Sequence, residues 1–201
     1  MVTRMIGMTS SIITQKMIAK SLKDLMETET FHKISVSDIM INCQMRRQTF
    51  YYHFQDKYEL LGWIYKEETK ENITDFIEYE KWENIFNQLF GYFYENQRFY
   101  RNAFKVVEQN SFNEYLYEQT KNLYLKIIDE LSLGSGLSVS EEKKSLLASF
   151  YSHGFGGTIK DWIQNACMVN PSVMSSLMKT MIHDQLILSL RQSANHKVEK
   201  R

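Results

Sequence analysis

Proline is almost missing from this chain: Pro171 is the one example in 201 residues, beside only eight glycines. So little turn-forming material excludes folds made of many short strands joined by tight turns. Cysteine is scarce as well. Cys43 and Cys167 are the two present, both inside apolar-periodic segments, which excludes a disulfide scaffold and points to free thiols in a reducing compartment. Net charge is lacking, with 24 Lys and Arg against 24 Asp and Glu, so the chain is not basic throughout. Long apolar runs are lacking too. The longest uncharged stretch, 162–178, holds Gln164, Asn165, Asn170, Pro171 and three serines, and reads as no membrane span. The N-terminus shows no secretory apolar region. The expectation is a soluble, cytoplasmic protein without a membrane partner.

What the chain has is apolar residues recurring at helical spacing, with no sustained strand alternation. The expected fold is all-α. Residues 1–8 read as a loose arm, and a first helix as about 11–27. Ser35 reads as the N-cap of a second helix, with Asp38 three residues on. A short third helix begins near Arg47. Asp56 caps a fourth helix carrying Leu60, Leu61 and Ile64 and, further on, Ile73, Phe76 and Ile77. Beyond residue 80, apolar stripes define a longer helical body, with a loop from Ser132 to Val139. Ser138 and Glu141 read as the capping box of the next helix, and Asn170-Pro171 as the start of the last. The division expected is a small helical domain at 9–56 and a larger helical domain at 57–195.

Charge is unevenly placed. Residues 1–54 carry seven Lys and Arg against four Asp and Glu, and the remainder 17 against 20. A modestly basic head on a slightly acidic body suits a small DNA-binding module joined to a larger domain. Residues 35–57 sharpen this. Val36, Ile39, Met45, Phe50 and Phe54 can lock two helices together, leaving a polar outer face of the kind a helix-turn-helix lays in the major groove. Arg47 and Gln48 suit base reading, because arginine can bond two edge atoms of guanine and glutamine two of adenine. Tyr52 suits a thymine methyl or a base edge. Thr49, Tyr51 and His53 suit phosphate oxygens. Lys57 and the exposed amides of its helix suit a shared phosphate, and Ser35 and Ser37 the same from the second helix. The partner expected is a double-stranded DNA operator.

On these residues the chain resembles the TetR family of bacterial transcription regulators. The resemblance covers 12–61, through Phe31, Ser35, Val36, Asp38 and Ile39, then Thr49, Phe50, Tyr51, His53 and Phe54, then Lys57, Glu59 and Leu60. It implies a homodimeric, all-helical regulator whose C-terminal domain senses an effector. Two positions depart from the family pattern. Gln44 stands where the turn commonly has glycine, and so must accept a conformation that disfavours a side chain. Arg46 stands where the recognition helix usually has a Ser or Thr cap. That weakens the cap by roughly 1 kcal/mol and offers a phosphate or base contact instead. Further on, Gly154, Phe155, Gly156, Gly157 and Thr158, with Trp162 and the Asn170-Pro171 start, resemble a subgroup associated with dihydroxyacetone kinase operons. That implies control of dihydroxyacetone or glycerol metabolism, and a kinase-related protein co-effector in place of a free ligand.

Three glycines within one helix cost about 1 kcal/mol each against alanine, and close helix–helix approach would compensate. Phe155, Ile159, Trp162, Met174, Leu177, Met178 and Met181 are the expected seam of a four-helix dimer interface, with an ordinary intrachain core as the alternative. Trp82, Phe86, Phe90, Phe104 and Tyr124 are the expected lining of an effector cavity, with plain core or a protein-docking surface as the alternatives. No nucleophile elbow, P-loop or zinc signature occurs. The five histidines (32, 53, 153, 183 and 196) fall at no metal-ligand spacing. Neither catalysis nor a cofactor is expected. A helical adaptor binding only protein is the rival reading, and duplex binding separates the two.

Overall fold

The computed structural model describes residues 2–69, 81–107 and 112–198. Among these it has nine α-helices and no strand: α1 (Val2–Met26), α2 (Val36–Asn42), α3 (Arg47–His53), α4 (Lys57–Thr69), α5 (Trp82–Glu95), α6 (Gln97–Ala103), α7 (Phe112–Ser135), α8 (Glu141–Gln164) and α9 (Pro171–Val198), with a single 3-10 turn at Phe31–Lys33. The all-α expectation holds. The stretch read as a loose arm is instead the first turns of α1, which is continuous from Val2. Extending a formed helix needs only one residue fixed per hydrogen bond, so a weak leading sequence can be carried by a strong following one. Ile73, Phe76 and Ile77 lie outside the described residues.

The chain packs as two compact units, 1–67 with 98–112, and 68–97 with 113–201. In the first, Ile18, Leu22 and Met26 form the buried stripe of α1, and Phe31, Ile39, Met40, Phe50, Leu60, Leu61 and Ile64 are buried in the same unit. The stripe follows from the 3.6-residue period. A polar pin fixes the register of α1 on α2: the buried Ser21 hydroxyl donates to the Ile39 carbonyl (2.6 Å), and Asn42 Nδ2 donates to Ser21 Oγ (3.0 Å). The α6 segment closes the unit, with Phe104 edge-on to Phe112 at 4.9 Å. Cys43 is half-buried and Cys167 buried, both as free thiols.

The second unit holds α5, α7, α8 and α9 around Ile85, Phe86, Leu89, Phe90, Leu123, Ile127, Ile128, Phe155, Ile159 and Ile182. Asn87 on α5 accepts from Ser175 (2.7 Å) and Lys179 (2.9 Å) of α9. Lys144 of α8 pairs with Asp129 of α7 at 2.6 Å. Two helix ends differ from expectation. α7 runs through Ser135 and closes on Gly136 at φ +65, so the loop is shorter than 132–139. The cap of α8 is Ser140, whose hydroxyl accepts from the Lys143 amide (3.3 Å), not Ser138. Either serine has an acidic residue two or three places on, and the run of α7 decides which is used. Asn170 caps α9 as expected, its Oδ1 accepting from the Ser172 amide at 2.9 Å.

Candidate nucleic-acid interface

The interface grows from α2, its turn and α3. At Ser35 the capping box is complete. Its hydroxyl oxygen accepts from the Asp38 amide (3.2 Å), and its own amide donates to Asp38 Oδ2 (2.8 Å). These bonds hold the exposed Asp38 carboxyl below its ordinary pKa, the side-chain bond from Ser35 contributing most. The other end of α2 closes with two bonds, Met45 N–H to the Met40 carbonyl (2.9 Å) and Gln44 N–H to the Ile41 carbonyl (3.0 Å). This Schellman closure requires a left-handed residue at its centre. Gln44 supplies it at φ 56, without the freedom glycine would have. The turn is therefore kept in shape, with backbone strain accepted at Gln44.

Arg46 is the N-cap of α3 and makes no side-chain cap bond. The short helix is held by Phe50 and Phe54, both buried, with ring centroids 5.7 Å apart. Its other side is open. Arg46, Arg47, Gln48, Tyr51 and Tyr52 are exposed, while Thr49 and His53 are half-buried. Tyr52 is the most exposed at 83%, its ring edge-on to His53 at 4.9 Å. Ser37 is half-buried on α2. Cations, amide, hydroxyls and imidazole thus share one outward surface, equipped to bond base edges and phosphates together.

Two expected contacts are corrected. Lys57 points inward, its ammonium donating to the carbonyls of Phe31 (2.9 Å), His32 (3.2 Å) and Ile34 (2.8 Å), above the Phe31 ring at 4.6 Å. An ammonium has three N–H donors, and all three are engaged. The Phe31 carbonyl also accepts the Ile34 amide that closes the 3-10 turn (3.2 Å), and the lysine adds a second bond to it while reaching the His32 and Ile34 carbonyls. Ser35 is likewise committed. Its hydroxyl donates to Asp38 Oδ2 at 2.6 Å, which leaves no donor for phosphate beside an ionised carboxylate. Sequence reasoning missed Asn102 of α6, whose Nδ2 donates to the Met26 carbonyl (3.1 Å) and whose Oδ1 accepts from the Phe31 amide (3.2 Å). It clamps the same connection from 71 residues away in sequence, and no local pattern signals such a contact.

The seam expected in the second unit is also corrected in part. Phe155, Ile159, Trp162 and Met178 are buried within the protomer. Phe155 meets Phe86 (5.3 Å) and Phe90 (5.9 Å), and Trp162 meets Phe90 at 5.4 Å. Met174 is half-buried, and Leu177 and Met181 are exposed. Outward apolar residues do form stripes, in different registers: Leu146 and Phe150 on α8, and Val173, Leu177, Met181 and Leu188 on α9. A Cβ added at Gly154, Gly156 or Gly157 would meet nothing within 4 Å, so the glycines answer no close approach inside the chain. Trp82, Phe86, Phe90 and Tyr124 are buried, in ring contact with one another or with Phe155. Phe104 belongs to the other unit. The Tyr124 hydroxyl is buried without a hydrogen-bond partner, and burial, with Tyr151 nearby, raises its pKa.

A short helix anchored by two phenylalanines, with an outward face of cationic, amide and hydroxyl groups, defines a helix-turn-helix DNA-binding protein. The family model for the TetR transcriptional-regulator C-terminal region matches residues 80–184. The HTH-type dhaKLM operon transcriptional activator DhaS of Lactococcus lactis is 42% identical over 145 residues, 72% of this chain and 76% of that protein. A solved structure of the dihydroxyacetone kinase operon activator DhaS aligns at a TM-score of 0.77 and 34% identity, over 88% of this chain and 98% of the other. The fatty acid degradation regulator FadR of Bacillus halodurans shares the fold, at a TM-score of 0.66 and 16% identity over 89% and 96%. The chain belongs to the TetR family: it is a DNA-binding transcriptional regulator, not an enzyme.

Proposed function

We propose that the protein controls genes of dihydroxyacetone utilisation, as an activator, by binding a two-fold operator as a homodimer. The carrying observation is the outward face of α3. Arg47 and Gln48 read base edges, Tyr52 contacts a thymine methyl or base edge, and Arg46, Thr49, Tyr51, His53 and Ser37 hold phosphates. The metabolic assignment follows the likeness to DhaS, whose name states control of the dhaKLM operon.

Dimerisation uses the outward stripes of α8 and α9. Leu146, Phe150, Leu177 and Met181 expose 51–70% of their surface in the protomer, a loss of apolar burial that a second copy restores. The effector is a protein related to the kinase. Trp82, Phe86, Phe90 and Tyr124 are in ring contact with one another or with Phe155, which supports a surface-docked signal over an enclosed ligand.

The test is selection of duplexes from a random pool, followed by binding to the selected sequence over a salt series. The expected result is a palindromic site, with half-sites about one helical turn apart and an affinity falling steeply with salt. A protein that retains no duplex at low salt is an adaptor, and the proposal fails.

A further inference from the structure

On α3 one contact joins two exposed side chains. Arg47 Nη2 donates to the Tyr51 hydroxyl at 3.0 Å, and the guanidinium carbon lies 5.5 Å from the centre of the Tyr51 ring. Both residues are exposed, so the pair secures little of the fold. Among the described residues, neither Arg46 nor Gln48 makes a comparable side-chain bond. Of the candidate readers, one is held before DNA arrives.

We infer that Tyr51 is a positioning residue for base reading: it fixes the Arg47 guanidinium in the orientation that meets guanine. The inference rests on the DNA-reading role of α3 and deepens it. Four side-chain torsions let a free arginine point in many directions, and binding must then select one. Tyrosine has two, and the Tyr51 ring is edge-on to the fully buried Phe50 at 5.5 Å and 79°. A stiff side chain braced on the core thus restrains a flexible one, a pre-organisation that lowers the cost of binding.

The donor count permits reading at the same time. A guanidinium has five N–H donors. One is given to Tyr51 and four remain, two of which suffice for guanine O6 and N7. The tyrosine oxygen accepts from Arg47, which leaves its own O–H free to donate to a phosphate. A contact that carries no sequence information by itself would then sharpen one that does.

The experiment uses the full-length protein and the duplex selected by the wild type. Tyr51→Phe keeps the ring and removes the hydroxyl. Discrimination between guanine and the other bases at the Arg47-dependent pair of each half-site should fall about three- to tenfold, the worth of one hydrogen bond. In an Arg47→Ala background the same change should leave discrimination at that pair unaltered. Thermal unfolding of both variants should match the wild type, because neither residue is buried. A Tyr51→Phe protein that binds all duplexes uniformly more weakly, with wild-type discrimination, overturns the inference and leaves a simple phosphate contact. A wild type that selects no sequence overturns the DNA-reading role itself, and the inference with it.

Discussion

Lys57 gives all three of its ammonium protons to backbone carbonyls, and that count determines what its substitution does. Lys57→Met keeps the stem and removes the ammonium from three carbonyls around the 3-10 turn, of which Phe31 alone keeps the Ile34 amide. Unfolding free energy should drop by roughly 1–3 kcal/mol, read from chemical denaturation. The salt slope of operator binding should not change, because no phosphate contact is lost. A slope shallower by about one unit would return Lys57 to the phosphate-contacting set. Asp38 makes a prediction in the acid range. Its folded pKa is depressed by Ser35, so its stabilising effect is complete above the ordinary carboxylate value. The effect is lost as pH falls through the depressed one. Asp38→Asn should flatten that part of the stability–pH profile, measured by thermal unfolding between about pH 2 and 5; an unchanged profile would remove the carboxyl from the cap. At this scale the sequence was legible where chemistry is local. Ser35 with Asp38 and Asp56 with its helix were visible as spacing, and the strained Gln44 through the family resemblance. The inward turn of Lys57 was not, because backbone carbonyls 23–26 residues away leave no mark beside it.

Helical elements obey periodicity, which is why the all-α fold and its apolar stripes could be read while helix ends slipped, at the start of α1 and at the cap of α8. Periodicity tells which residues share a face but not whether that face meets the same chain or another copy. Ile159 and Leu177 looked alike in sequence, yet Ile159 is fully buried and Leu177 is 61% exposed. The missing information was the packing of α5 against α9, a contact across nearly ninety residues. Gly157 brings this ambiguity to a test. It is exposed on α8, with open space where a Cβ would lie. Within the protomer Gly157→Ala should therefore stabilise the helix, by about 1 kcal/mol. If the partner's backbone approaches this face closely, the same methyl group should weaken self-association. The expected outcome is thus a protomer harder to unfold and a dimer easier to dissociate, read by chemical denaturation and by sedimentation on the same samples. Unchanged or tighter association would place the seam elsewhere on α8 and α9.

For the whole molecule, the proposed homodimer makes DNA affinity and self-association one property, because a single α3 would read only half of the proposed two-fold site. Leu177→Glu separates them. Leu177 is exposed, and leucine and glutamate have similar helix propensities, so the protomer should keep its helical content and its thermal unfolding at low concentration. Facing a second Leu177 or its neighbours across a two-fold axis, the carboxylate would be buried unpaired, and the dimer should dissociate. Each protomer would still present Arg47, Gln48 and Tyr52 on an intact α3. A duplex carrying one half-site should then be bound about as well by the variant as by the wild type. A duplex carrying both should lose roughly a hundred- to ten-thousandfold in affinity, because the second contact is no longer made at the high effective concentration a dimer provides. Equal loss on both duplexes would mean that the head itself was damaged. Wild-type affinity for the double site, with the variant shown to be monomeric, would mean that this protein reads its operator one protomer at a time.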